Sequence, residues 1–316
     1  MNNAIKRVVV SDEDLYYFLL INSWGPGQGV CIFGIITNIL NIITFVKQGI
    51  QDTVNISLLG LATSDLGSQI TLLYANLNVI PAFVALDLPF EADDIMYING
   101  LCHVIFTRVS AWITAYITLE RCLCVTLPLK VKNVFTPNRT VLYLNLMYII
   151  MFASVFPCFY TMRPAKVFDP LRNRTILRIL YVEGRKIIEN ITFVTNNVIP
   201  SIALCLIVIC TAVLVVNLRQ KSKWRRKVTS DSSKSSVAMS NRDSKAVKMV
   251  VLIAAIFIMC YVPSMIAFLY ILLDPDTRID GYQRNLCCSL FAVFFHLESI
   301  NAGVNTFVLL QYEFKV

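Results

Sequence analysis

A chain of 316 residues that is 56% hydrophobic and 15% charged is too apolar for a soluble globular domain, in which about a quarter of residues carry charge. Stretches of about 20 apolar residues recur along its length, each able to cross a hydrocarbon core roughly 30 Å thick. The chain is therefore read as a polytopic membrane protein, and its net charge of +8 as a topology signal rather than a nucleic-acid footprint.

Residues 1–23 carry Lys6, Arg7, Asp12, Glu13 and Asp14 with no compact apolar core before a small-residue cleavage site. They are expected to be an uncleaved extracellular N-terminus. Seven apolar segments follow within 24–312, at about 29–46, 54–74, 98–119, 141–160, 191–218, 246–272 and 286–310. They are too long for strands and do not alternate, so the expected fold is an all-α bundle of seven transmembrane helices. The first, third and fifth connections, with the tail at 313–316, hold 16 basic and 5 acidic residues. The opposite face holds 12 and 13, which puts the N-terminus outside and the basic face in the cytoplasm.

The third span runs into Thr118-Leu-Glu-Arg-Cys122, then Cys124 and Thr126-Leu-Pro-Leu-Lys130, where an apolar run meets adjacent opposite charges. That junction is either a helix end capped by interfacial charge or part of a switch. Between the fourth and fifth spans lie two acceptor sequons, Asn173-Arg-Thr175 and Asn190-Ile-Thr192, with Asn190 close to the membrane. The 219–245 connection holds Lys221-Ser-Lys-Trp-Arg-Arg-Lys227, a face for lipid headgroups or a partner. A Ser-rich stretch, Ser230 to Ser244, follows; its low apolar content predicts disorder at the centre. The ten cysteines show no ligand spacing. Most sit in apolar runs as small hydrophobes. Cys122 and Cys124 lie where membrane-proximal cysteines are open to palmitoylation.

Ionisable residues inside spans mark function by default. Asp65 lies mid-span, with Asn38, Asn301 and Asn305 at similar depth. Two readings stand: hydrogen-bonded helix packing, or a polar cavity that takes water or a cation. At about 100° per residue, His103, Thr107, Ser110, Thr114 and Thr118 fall within roughly 60° of the direction of Arg121 and form one inward stripe. Ser110 is then placed to meet Asp65. Arg108 points about 140° off that stripe, which speaks against pairing with Glu298 and for helix carbonyls as its partners. Pro200 and Pro263 allow kinks in the fifth and sixth spans.

Taken in order, these residues resemble the rhodopsin-like family of G-protein-coupled receptors across nearly the whole chain. Asn38, Leu61-Ala62-Thr-Ser-Asp65, Glu120-Arg121-Cys122 with Pro128-Leu129, Pro200, Phe257-x-x-Cys260-x-x-Pro263 and Asn305 carry the match. More narrowly, Glu-Arg-Cys-Leu-Cys124, Pro128-Leu-Lys-Val-Lys132 and Phe106-Thr-Arg-x-Ser-x-Trp-Ile-Thr114 resemble gastropod chemosensory receptor-like sequences. The resemblance implies a plasma-membrane receptor, not an enzyme, that passes an extracellular signal to a heterotrimeric G protein. Glu120, Arg121, Pro128 and Leu129 would form the coupling switch, and Pro200, Phe257, Cys260, Tyr261 and Pro263 the activation hinge. Asn38, Asp65, Ser110, Asn301 and Asn305 would hold an allosteric sodium ion. The ligand pocket would draw on His103, Thr107, Thr192, Asn196, Ser264, Phe268, Phe295 and Ser299.

The chain departs from the family at Cys122, at Tyr261 in place of tryptophan, at Val208, and at Thr306 and Leu309. The family's outer disulfide finds no cysteines at its positions: Met96 lies near the first, and 161–190 contains none. The outer loop is accordingly expected to be held less firmly. The sequence ends at Val316, where the family's short amphipathic helix would begin, which points to a tail missing from it. Ser299 stands at the opsin lysine position and His103 at the amine-receptor aspartate, which disfavours both classes. A small water-borne chemical or a neuropeptide remain as ligands. A transporter would predict inverted repeats, which are not found. A membrane enzyme would need a convergent catalytic cluster, but His103 and His296 are the only histidines. A bundle that has lost coupling is the remaining alternative.

Overall fold

The computed structural model describes residues 8–86, 88–127, 131, 133–170, 172–228, 234–278 and 281–313; for 221–228, 234–246 and 306–313 it describes the backbone alone. Among the described residues, seven helices are long and apolar enough to cross a membrane: Asp12–Gln48, Thr53–Leu77, Ala92–Thr126, Pro137–Tyr160, Arg185–Gln220, Val247–Leu273 and Arg284–Asn305. We refer to them as the first to seventh spans.

Local chemistry sets their ends. Ser11 caps the first span through a capping box with Asp14, so the helix begins well outside the apolar run, in what reads from sequence as an N-terminal extension. The turn Ser23–Gly27 is π-helical around Pro26, which has no N–H to donate to the helical ladder. Gly49 ends the first span at φ 89°, a conformation that costs a side chain dearly. Asp52 caps the second span by accepting the Val54 N–H at 3.3 Å. Pro137 opens the fourth, where its missing N–H leaves nothing unsatisfied.

The third span is the axis of the bundle. It packs against the second, fourth, fifth and sixth spans, and its buried residues face every direction around the helix. Leu61, Ile113, Ile117, Met151, Leu214 and Ile253 form the main apolar core, and Phe257 and Tyr261 join a second cluster with Ala111, Ala115, Ala203 and Ile207. The first span shows Ile32, Ile36, Leu40 and Ile43 on its exposed side, a one-face apolar stripe suited to lipid tails.

The fifth helix runs to Val228 and the sixth begins at Lys234; the centre of the connection between them, 229–233, where disorder is expected, lies outside the described residues. One element differs from the sequence reading. Between the fourth and fifth spans stands an antiparallel hairpin, β1 (Met162–Asp169) and β2 (Arg174–Tyr181), in register from Met162↔Tyr181 to Asp169↔Arg174. Asn173 closes its turn at φ 47°, a region asparagine tolerates.

Candidate functional site

At the inner end of the third span, Arg121 Nη2 lies 3.2 Å from Glu120 Oε1, and the Thr53 hydroxyl donates to the same oxygen. Glu120 is 1% exposed, held under the start of the second span by the Asp52-capped turn that presents Thr53. Its Oε2 and the Arg121 Nε have no hydrogen-bond partner, so one contact fastens the pair. Such a lock opens when a better partner for the guanidinium arrives. Pro128 and Leu129 lie outside the described residues.

Deeper in the bundle, Asp65 is 1% exposed and accepts the Ser110 hydroxyl on Oδ1 at 2.7 Å and the Asn305 amide on Oδ2 at 3.0 Å. Second, third and seventh spans therefore meet at one carboxylate. Asn38 bridges first to seventh through the Gly34 and Ala302 carbonyls at 2.8 and 3.1 Å. The Oδ1 atoms of Asn38, Asn301 and Asn305 are buried without a hydrogen-bond partner. A carboxylate, a hydroxyl and spare amide oxygens are the hard donors a sodium ion takes, so these residues fit the ion the resemblance implies. The sequence reading missed Gln69, which continues this layer outward. Its amide donates to the Ser299 carbonyl at 2.7 Å and its Oε1 accepts the Ser299 hydroxyl at 2.6 Å. A Cβ on Gly34 would come within 2.6 Å of the Gln69 side chain, so glycine there lets the first span close on this bond.

Arg108 corrects an expectation. Its Nη1 lies 2.7 Å from Glu298 Oε1, and both side chains are buried. The wheel angle misled because the third span is enclosed by neighbours and has no outward face. The third and seventh spans share no extended backbone contact, and the long arginine crosses that gap. Its guanidinium also lies 6.0 Å from the ring centre of Tyr261, whose hydroxyl donates to the Thr107 carbonyl at 3.1 Å. Tyr261 stacks on Phe257 at 4.0 Å between ring centres and packs with Cys260, so the hinge residues near Pro263 touch the third span directly.

The ligand candidates fall into two groups. His103 contacts Phe295 edge-on at 4.8 Å between ring centres, and Ser299 lies on the same side, bonded to Gln69. Across the bundle Asn196 donates to the Thr192 carbonyl at 3.1 Å and accepts the Ser154 hydroxyl at 3.2 Å, while Phe268 packs on Phe193 at 5.4 Å. Ser264 is buried, its hydroxyl without a partner. All eight are buried or half-buried, packed among helices.

Comparison with known families decides the identity. Residues 37–308 match the family described as 7 transmembrane receptor (rhodopsin family). The chain belongs to that family. It is a multi-pass membrane receptor of a non-enzymatic signalling family. No curated protein matches the sequence. The matched stretch takes in every residue from Asn38 to Asn305 named above. The receptor's departures have visible consequences. Cys122, buried, fills the place of a tyrosine beside Arg121, and Val208 is exposed on the outer side of the fifth span. The side chains of Thr306 and Leu309 lie outside those described.

The outer loop of the receptor is joined to the 2–3 connection by hydrogen bonds and ion pairs in place of a disulfide, in keeping with the looser hold its cysteine pattern implies. Leu177 exchanges backbone bonds with the 2–3 connection, donating to Pro89 at 2.8 Å and accepting from Glu91 at 3.2 Å. The Ile179 N–H donates to Asp94 at 2.8 Å, Arg174 donates to the Leu88 carbonyl, and Arg172 lies between Glu91 and Asp169 at 3.8 and 3.4 Å. Ile176 is buried beneath the sheet. Recesses of about 310 and 130 Å³ lie along this junction, the larger lined by Glu91, Asp169, Arg172 and Arg178.

Proposed function

We propose that the receptor turns binding of an extracellular chemical into activation of a heterotrimeric G protein at the plasma membrane, with small water-borne chemosensory compounds as its ligand class. The observation that carries the coupling half is the single-contact pair of buried Glu120 and half-buried Arg121, at the inner end of the axial helix and beside the basic face. Displacement of the sixth span about Pro263 would expose the guanidinium to the Gα subunit. A ligand needs only a few kcal/mol of preference for that arrangement to populate it. The chemosensory half rests on the Glu120-to-Lys132 and Phe106-to-Thr114 phrases. An acidic neuropeptide is the second reading, favoured by exposed Arg163 and Arg178 on the hairpin.

The test expresses the receptor with a panel of Gα reporters and screens small odorants beside neuropeptides. Against any active compound, Arg121→Ala is expected to abolish the response while surface expression is retained. Undiminished signalling by that variant sinks the switch assignment.

Sodium bound at Asp65 would favour the resting arrangement by tying second, third and seventh spans together. Glycosylation is proposed at Asn173, exposed at the hairpin turn, rather than at Asn190, half-buried in the fifth helix. Asn173→Gln is expected to remove the glycosidase-sensitive gel shift, and Asn190→Gln to leave it.

A further inference from the structure

Two acceptors face each other in the outer half of the bundle with no donor between them. His103 Nδ1 lies 3.0 Å from the Ser68 carbonyl. A carbonyl only accepts, so Nδ1 carries the ring proton and Nε2 of the neutral imidazole is a bare lone pair. That Nε2 lies 3.6 Å from Glu298 Oε2, and neither atom has a hydrogen-bond partner. His103 is 0% and Glu298 3% exposed, so water does not stand in for the missing donor at the surface. Lone pair against carboxylate is repulsive in this position, and the low local dielectric magnifies the cost.

The spacing identifies what the site takes. A water donating to both atoms, bent at about the tetrahedral angle, needs about 4.5 Å between them. A proton needs no such space: placed on Nε2, it converts the repulsion into an imidazolium–carboxylate pair. Glu298 can serve two cations because it has two oxygens, and Oε1 is already occupied by Arg108. Cys260, on the sixth span, faces Glu298 as a neutral thiol and adds no charge, and the other charged or titratable neighbours do not compete for Oε2. Tyr261, from the sixth span, donates its hydroxyl to the Thr107 carbonyl. On the second span, Asp65 is held by Ser110 and Asn305. His296, on the seventh, turns its Nδ1 toward Asn22 and the Ala292 carbonyl. Phe295 covers the imidazole edge-on.

We propose that His103 Nε2 and Glu298 Oε2 form a proton-binding site, and that proton uptake adds a second ion pair between the third and seventh spans. Acid then fastens the outer half of the receptor in the arrangement described here, and loss of the proton loosens it. The site does not depend on which G protein the receptor uses.

With two histidines in the chain, the site can be watched directly. The full-length receptor is labelled with ¹⁵N-histidine in lipid nanodiscs, and His103→Gln identifies the His103 signals by their loss. The expected spectrum shows a ring protonated on Nδ1 alone in alkaline buffer that gains a second proton, on Nε2, on acidification. A ring that never gains it, or one protonated on Nε2 alone in alkaline buffer, overturns the proposal. Thermal denaturation supplies the second reading. Protonation gains a contact only in the folded state, so the melting-temperature gap between the wild type and His103→Gln should widen by several degrees on acidification. A gap that does not change with pH overturns the clamp. Should His103→Gln not fold, His103→Asn takes its place, since it too carries no titratable ring. Neither reading uses G-protein activation, so failure here leaves the coupling assignment standing, and failure of coupling leaves this site standing.

Discussion

Glu298→Ala is expected to be the most damaging single replacement in the transmembrane core, costing about 3–5 kcal/mol. The change strands the Arg108 guanidinium, because Asp65, the other carboxylate at mid-bundle depth, is already held by Ser110 and Asn305. Its Nε already lacks a partner, and the Tyr261 ring, 6.0 Å away, supplies only a weak cation–π contact. A charge left unpaired at membrane depth forces the chain to admit water, move the helix or fail to fold. Surface expression of Glu298→Ala should therefore fall to a small fraction of wild type, and the solubilised protein should melt well below it. The paired replacement Arg108→Met with Glu298→Met removes both charges while keeping volume. It should recover most of the loss, because a buried ion pair costs its own desolvation and apolar side chains often replace it without penalty. A double-mutant cycle on melting temperature measures the coupling. If Glu298→Ala alone is as stable as the double variant, the two residues are not coupled and do not clamp the third span to the seventh.

That clamp marks where sequence reasoning reaches its limit. The spans were legible because a lipid core imposes one simple demand, about 20 apolar residues per crossing, and the charge bias of the connections supplied direction. Asp65, Ser110 and Asn305 were legible for a related reason. Each is costly in lipid unless it meets a partner, and the helical period placed Ser110 on the inward stripe. Arg108 defeated the same argument because the stripe assumes that a helix has an inside and an outside. The third span has neighbours around its whole circumference, and a long side chain reaches across gaps that backbone angles do not anticipate. Gln69 was overlooked for want of charge, although a primary amide in an apolar run carries four hydrogen-bonding positions that need partners.

The hairpin was missed for a different reason. Runs such as Ile176-Leu-Arg-Ile-Leu-Tyr181 and Ala165-Lys-Val-Phe168, separated by Pro170 and Asn173, are a recognisable strand–turn–strand signal. The sequons and the missing cysteine of the 4–5 connection bear on its chemistry and say nothing of strand pairing. Its anchoring could not have been read at all. Leu177 to Pro89 and Glu91 to Leu177 join residues over 80 positions apart through backbone atoms, which leave no trace in side-chain identity. The physical outcome bears on ligand access. A loop held by hydrogen bonds and half-exposed ion pairs opens at a cost of a few kcal/mol, whereas a disulfide must be broken chemically.

Asp65→Asn is expected to abolish stabilisation of the receptor by sodium while leaving its fold intact. The variant is informative because the surrounding groups can adapt to it. Asp65 accepts from Ser110 on one oxygen and from the Asn305 amide on the other. An asparagine keeps one acceptor for Ser110 and turns its NH₂ toward Asn305. Two NH₂ groups would then oppose each other, but Asn305 Oδ1 is free of hydrogen bonds, and a half-turn of that amide presents it as the acceptor. The three-span junction thus survives with its bond count unchanged, and what disappears is the negative charge. Without it a bound cation must be desolvated against neutral dipoles alone, which the interior does not repay. In the wild type, sodium at about a hundred times its dissociation constant should raise stability by about 2.7 kcal/mol over the same concentration of choline. In Asp65→Asn the two salts should give the same melting curve. Sodium that still stabilises the variant would place the ion elsewhere. A wild type indifferent to sodium would mean that the spare oxygens of Asn38, Asn301 and Asn305 are served by water, and that the junction is packing alone.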